Sequence, residues 1–503
     1  MLQWRETAFF SSREWWILFP AVILLILFRS AIFVFWPQSY FDSDQAVYGL
    51  MAKHIAEGRA FPVFMYGQTY LLGIESWLAA PVFLIVGASV AALKFPVLII
   101  NVAIALLLAR IFTREVGLSP WLAVMATLFF VLPAPGTAAQ FVEAGGGIIE
   151  PSLYVVLIWL TRNRPNWCGI TIGLGFLNRE FSIYGVAALL VIDAAQRVLF
   201  TREGIVRWLK TFRTAAEVWL VVTWIKQYSS AAGPGTSPLD LYQQTPGDNL
   251  GNLWNRVCID MDKLAGGVSA GLTTHLPRLF GMTPERLREY GIDSNATQGL
   301  PWGGFLLIGL FAIPIVRIAM TLVRERRWRP EYDACAYLVL VGLFSFAAYT
   351  MLRCGVIGTM RYELLSVIGA TGLAAWYLRI ERVRAPAILW TVLMLAWVAG
   401  TSAGHVRLWA EYATHPPAGV KLTVIRQLEM EGIRYAYADY WLAYYISFLT
   451  NERIIVHSTD LSRIAEYRRI VEEHRTEAIR ISRTPCQEGR EVFTRIYFCA
   501  PAQ

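Results

Sequence analysis

Residues 15–36, WWILFPAVILLILFRSAIFVFW, are apolar enough to be helical in lipid, and about 20 such residues cross a bilayer. Comparable runs recur near 71–88, 90–111, 119–134, 147–160, 167–176, 181–200, 214–225, 303–323, 335–352, 364–379 and 386–403. Water is absent from the hydrocarbon core, so backbone groups there must be satisfied within helices. The pattern predicts a mainly α fold, a polytopic transmembrane helix bundle of about 11–13 spans. Several runs are short or broken by Gly and Pro, as in LPAPGTAAQ (132–140), and read as half-spans, tilted spans or re-entrant pieces. The first run exceeds a signal-peptide core and lacks a small-residue cleavage site, so it is expected to be retained.

Composition supports the same class. Of 503 residues 56% are hydrophobic and 16% charged, where soluble chains carry about a quarter charged. The 19 Trp and 22 Tyr suit interfacial belts. The net charge of +8 gathers at run ends, as in RNRPNW (162–167) and RERRWRPEY (324–332). That distribution fits topology and anionic membrane lipids. No Lys/Arg run interleaves with aromatics in a polar domain, which argues against nucleic acid.

The organisation divides at about residue 404. Residues 1–403 form the membrane domain, with a first outside loop at 37–70 and a long polar loop at 226–302. The long loop opens on SSAAGPGTSPLDLYQQTPGDN and includes PERLREYGI, read as a short helix. Residues 404–503 alternate helical and strand patterns, predicting a soluble α/β tail domain. Cys486 and Cys499 share that tail and would pair in an oxidising compartment. Cys168, Cys335 and Cys354 lie in or beside apolar runs as small hydrophobes. No Cys/His set has zinc spacing, so no metal site is predicted.

The most informative polar stretch is YFDSDQAVYGLMAKHIAEG (40–58). Val47, Tyr48, Met51 and Ile55 share one helical face and Gly58 supplies a stop. The pattern predicts a short helix lying in the membrane interface. Asp42 and Gln45 have capping-box spacing. Asp44 sits in the first turn, where an acid is favoured by the helix dipole and is also placed for general-base work. His54 reads as a polar-face histidine.

The stretch Asp44-Gln-Ala-x-x-Gly-Leu-Met-Ala-x-His-Ile-x-x-Gly58 after a first span resembles the C-type (GT-C) membrane glycosyltransferases. The resemblance is to the bacterial branch of protein mannosyltransferases, aminoarabinose transferases and Rgt-like lipopolysaccharide galacturonosyltransferases. FMYGQTYLLGIESWLAAPVFLIVG (64–87), FVEAGGGIIEPSLYVVLIWL (141–160), GLGFLNREFSIYGV (173–186), MRYELLSVIG (360–369) and YADYWLAYYISFLTNERIIV (437–456) resemble further family segments.

The resemblance implies sugar transfer, with inversion, from a polyprenyl-phosphate-linked donor to a lipid, glycan or protein acceptor on the outer face. Asp44 would be the catalytic base, with Gln45 where many relatives have Glu. A divalent metal is possible in such a family but is not indicated here. Glu143 would be the second acid, with Glu150 the next choice. Arg361, Arg179 and Arg353 would bind the donor phosphate, for which Arg has bidentate geometry. Asp42, Tyr66, Gln68 and Glu75 would line the substrate pocket. The expected location is the cell (inner) membrane, with the tail on the outer, periplasmic side. A lipid-linked sugar flippase or transporter and an O-antigen-type polymerase or ligase are the alternatives.

Overall fold

The computed structural model describes residues 13–36, 40–68, 71–236, 261–282, 285–289, 292–298, 303–325, 328–352, 360–416, 419–486, 489–493 and 495–500. In chain order the first helices are α1 (Trp15–Phe35), α2 (Ser43–Ala56), α3 (Ile74–Val86), α4 (Val90–Arg114), α5 (Pro120–Val131), α6 (Pro135–Phe141), α7 (Glu150–Thr161), α8 (Pro165–Asn178), α9 (Ile183–Ala195) and α10 (Arg202–Lys226). There follow α11 (Met261–Ala270), a π-helical turn (Gly271–His275), α12 (Leu276–Leu279), a hairpin of β1 (Glu285–Glu289) and β2 (Ile292–Gln298), and α13 (Gly303–Glu325), α14 (Asp333–Leu352), α15 (Leu365–Ile380) and α16 (Arg384–Thr414). The tail contains α17 (Val420–Met430), β3 (Tyr435–Ala438), α18 (Tyr440–Leu449), β4 (Ile455–Ser458), α19 (Ala465–Glu473), β5 (Ile479–Ser482), β6 (Arg490–Phe493) and β7 (Ile496–Cys499).

Among the described residues five helices are long and apolar enough to cross a membrane: Trp15–Phe35, Val90–Arg114, Gly304–Glu325, Pro330–Thr350 and Arg384–Thr414. The pair α5–α6 makes a sixth if counted as one span, but it bends by 88°. Pro133 and Pro135 flank the bend, and each removes a backbone donor the helix would need. The runs near 71–88, 147–160 and 364–379 form shorter apolar helices, α3, α7 and α15. Gly87 ends α3, and Pro151 lies in the first turn of α7, where the N–H it lacks would have no helical partner.

One expectation about the long loop is corrected. PERLREYGI is not a helix: residues 285–289 form β1, paired antiparallel with β2. A nine-residue polar segment has no apolar stripe to stabilise a costly helical nucleus, whereas the hairpin satisfies its backbone across the pair. Helix α16 continues past residue 404 to Thr414.

The tail is the α/β unit its alternating pattern predicts. Its five-stranded sheet has the order β4-β3-β5-β7-β6. β3 runs parallel to β4 and β5, and β7 runs antiparallel to β5 and β6. Cys486 and Cys499 form a disulfide that ties the β5–β6 connection to β7. Cys168 and Cys335 are buried free thiols.

The tail is not a separate ball on a linker. Phe448 and Tyr445 of α18 belong to the same buried cluster as Phe41, Val47 and Leu50 around α2. A Cβ at Gly49 would lie 2.5 Å from Phe448 Cε2, so only glycine lets α18 approach α2 this closely. Burying a phenylalanine here is worth about 2–3 kcal/mol. Ten of the fourteen residues of α2 are buried and none of the rest is fully exposed. It therefore has no wet face; the tail covers the side that the helical pattern left open. First loop and tail are consequently on one side of the bundle.

Candidate active site

The site is assembled on α4. Lys94 and Asn101 stand seven residues apart, two helical turns, and so share a face. Lys94 Nζ donates to the carbonyls of Phe33 (2.8 Å) and Tyr40 (3.0 Å), fixing the end of α1 and the turn into α2. Asn101 Nδ2 donates to Phe141 O at 2.7 Å, satisfying the end of α6, while its Oδ1 accepts from Arg29 Nη2 at 2.7 Å. One helix face thus sets both segments that carry acids.

On the first segment, Asp42 caps α2 by accepting from Gln45 N at 3.0 Å. Gln45 does not complete a capping box by returning to the cap's own N–H. Its Nε2 donates to Tyr40 O at 2.9 Å and to Asp42 Oδ1 at 3.3 Å. Its Oε1 accepts from Ala144 N at 3.2 Å, beside Glu143. A side chain that must donate and accept at once is an amide. A glutamate could not donate to Tyr40 O, which gives a local reason for Gln45.

Asp42, Asp44, Glu143 and Arg361 come together. Asp42 and Glu143 are 4% and 6% exposed, while Asp44 is half-buried, which makes it the reachable acid of the three. Burial, then the neighbouring Asp42, raise the Asp44 pKa; a Tyr440 hydrogen bond, Arg463 and Arg361 oppose this. Burial and Asp42 push Glu143 up to about 8, against Arg361 and Lys94. Glu143 Oε2 accepts from Gln140 Nε2 at 2.7 Å. The Arg361 guanidinium faces Tyr362, Glu143 and Asp44, and its Nε is buried without a hydrogen-bond partner.

The other candidates are placed differently. Glu75 Oε2 accepts from Gly146 N at 2.9 Å, and Arg179 Nη1 donates to Gly146 O at 3.2 Å. Both thus hold the loop that follows Glu143. Glu150 begins α7, 2% exposed, with both carboxyl oxygens lacking hydrogen-bond partners. Tyr66 is fully buried, its hydroxyl 3.0 Å from His54 Nδ1 and away from the acids. His54 is likewise fully buried rather than on a polar face, with Nε2 3.0 Å from Glu452 Oε1. The Gln68 side-chain amide lies against Arg463, and the orientation that satisfies both groups has its oxygen accepting from Nη2 at 2.9 Å and Nη1 at 3.2 Å. Arg353 and Cys354 lie outside the described residues, as does 237–260 of the long loop.

Gly146 has φ +73°, and a Cβ there would lie 1.8 Å from Tyr48 Oη. Gly146→Ala is expected to cost about 3 kcal/mol, adding left-handed strain to overpacking. Thermal unfolding in detergent reads this loss; an unchanged midpoint would contradict it.

Sequence reasoning missed Lys94, Tyr440 and Arg463. The Tyr440 hydroxyl donates to Asp44 Oδ1 from nearly 400 residues away in the chain, and no local pattern marks such a pair. Among the described residues no three His, Cys, Asp or Glu side chains are arranged to hold a metal. Asp42 accepts at Oδ1 from the α2 backbone, and Asp44 at Oδ1 from the Tyr440 phenol. A cleft of about 800 Å³ opens at the far end of α2, lined by Lys53, Arg59, Arg453 and Glu452 among others. Its named cations are already paired with acids.

No family model and no curated protein matches the sequence. Solved structures do. An oligosaccharyltransferase from Archaeoglobus fulgidus, in its apo form, superposes with a TM-score of 0.52 at 14% identity, over 93% of this chain and 70% of that one. ArnT from Cupriavidus metallidurans, in the apo state, superposes with a TM-score of 0.51 at 12% identity, over 97% of this chain and 98% of that one. The chain has the GT-C fold: a helical membrane bundle with a C-terminal domain.

Proposed function

We propose that this chain is an integral-membrane glycosyltransferase. It moves a hexosyl or pentosyl unit from a polyprenyl-phosphate-linked donor to a lipid, glycan or protein acceptor on the outer face of the cell membrane. The observation that carries the reading is Asp44: a half-buried acid of raised pKa, opposite an arginine with an unpartnered buried Nε, in a GT-C fold.

In this reading Asp44 takes the proton of the acceptor's hydroxyl or amine as that atom bonds to the sugar's anomeric carbon. The bond from that carbon to the phosphate oxygen breaks, and its electron pair leaves with the phosphate. Arg361 meets the phosphate charge. Glu143, pushed up to about 8, is largely protonated at neutral pH. It serves as a hydrogen-bond donor rather than a second base. The disulfide of the tail supports an oxidising, outer-side location, since such bonds persist there.

The test is transfer by the purified chain in proteoliposomes, using radiolabelled polyprenyl monophosphate sugars with a membrane lipid extract as acceptor. Label moving to an acceptor supports the reading. No transfer from any donor of that class, by protein that retains its helical circular dichroism, would overturn it.

A further inference from the structure

We propose that Tyr440 and Arg463, both from the C-terminal domain, are positioning residues for Asp44. The Tyr440 phenol holds one carboxylate oxygen while the half-buried side chain leaves the other towards the acceptor. The inference rests on the reading of Asp44 as base, and makes the tail part of the catalytic unit.

Both residues are held from several directions. Tyr440 opens α18, and its backbone N donates to Asp460 Oδ1 at 2.8 Å. Its ring packs edge-on against Trp441 at 5.2 Å and Tyr444 at 5.4 Å. The Arg463 guanidinium lies 5.8 Å from the Tyr440 ring centre. Arg463 Nη1 donates to Gly67 O at 2.9 Å, and its backbone N donates to the Tyr444 hydroxyl. Further along α2, Phe448 seats against Gly49 and Glu452 accepts from Lys53, which packs the arm carrying the phenol onto the helix that carries Asp44.

The chemistry follows from what faces Asp44. Asp42 and Glu143 are acids that make its ionisation harder, as does burial. Tyr48, one turn on, is a neutral phenol buried beside Glu75 and Glu150. Tyr440, Arg463 and Arg361 work in the opposite direction. A hydrogen bond donated to a carboxylate favours its ionised form, as does a nearby cation. Without Tyr440 and Arg463, Asp44 would hold its proton to higher pH and be a poorer base at neutrality.

The experiment titrates Asp44 without needing a substrate. Infrared difference spectra of the purified full chain in detergent are recorded across pH. The carboxyl band that Asp44→Asn removes reports the midpoint. Tyr440→Phe should raise that midpoint by about one pH unit, the worth of one hydrogen bond to a charged group. Arg463→Gln should shift it in the same direction with the phenol in place, and circular dichroism checks that each variant keeps its fold. In the transfer assay, Tyr440→Phe should lower kcat at neutral pH and recover at alkaline pH, with the donor KM unchanged. An unchanged midpoint in both variants overturns the proposal, even if Asp44→Asn abolishes transfer. Transfer retained by Asp44→Asn would instead sink Asp44 as base, while the titration shift would still be read.

Discussion

Asp44→Asn is expected to reduce transfer by about 10²–10⁴-fold, the usual contribution of a general base. The loss should fall on kcat and leave the donor KM unchanged, because Arg361 and not Asp44 is assigned to the phosphate. Asn keeps the shape and an oxygen that still accepts from Tyr440, so thermal stability should hardly change. In the wild type the base must be ionised, and its pKa is raised. The rate should therefore rise with pH along an acid limb lying above the ordinary carboxylate range. A variant that turns over as the wild type does would remove Asp44 from the chemistry.

Glu452→Gln is expected to destabilise the chain by about 1.5–3 kcal/mol, because Lys53, Arg59 and His54 lose the carboxylate they share, while Lys53 and Arg59 keep Glu57 and Glu466. Glu452 accepts from Lys53 Nζ at 2.5 Å, Arg59 Nη1 at 2.9 Å and Tyr467 Oη at 2.9 Å, with His54 Nε2 at 3.0 Å. These partners outweigh its burial and hold its pKa well below the usual carboxylate range. A depressed folded pKa stabilises above the unfolded value, about 4.3, and is lost as pH falls through the folded one. The gap in unfolding midpoint between wild type and variant should be full at neutral pH and close only in strong acid. A pH-independent gap would mean the cost is packing rather than charge. Because Glu452 locks the tail to α2, partial loss of transfer should accompany it.

Several features were legible from short-range chemistry. Asp42 as a cap, the helix that follows it and the alternating tail elements all depend on residues within a few positions of one another. Asp44 was distinguishable as a first-turn acid, and Gln45 was visible as an oddity without a reason. The reason is Ala144, about a hundred residues on, whose N–H needs the oxygen of an amide that also donates to Tyr40. The open polar face expected of α2 is covered for a similar cause. Its periodicity describes one apolar face, but Gly49 admits Phe448 on another, and the tail supplies the cover. Tyr66 and Gln68 stand two positions apart in one motif, yet each meets a different part of the chain, His54 of α2 and Arg463 of the tail.

By itself the sequence determined a membrane-embedded helical chain with a soluble α/β tail, because apolar run length and strand or helix period are properties of contiguous residues. Only the tertiary structure decided which polar groups meet. Lys94 and Asn101 on one face of α4 bring Asp44 and Glu143 together, and Tyr440 and Arg463 reach Asp44 from the tail. Those pairings depend on packing between segments tens to hundreds of residues apart. Only there does burial and the sum of neighbouring charges set which acid is a base and which keeps its proton.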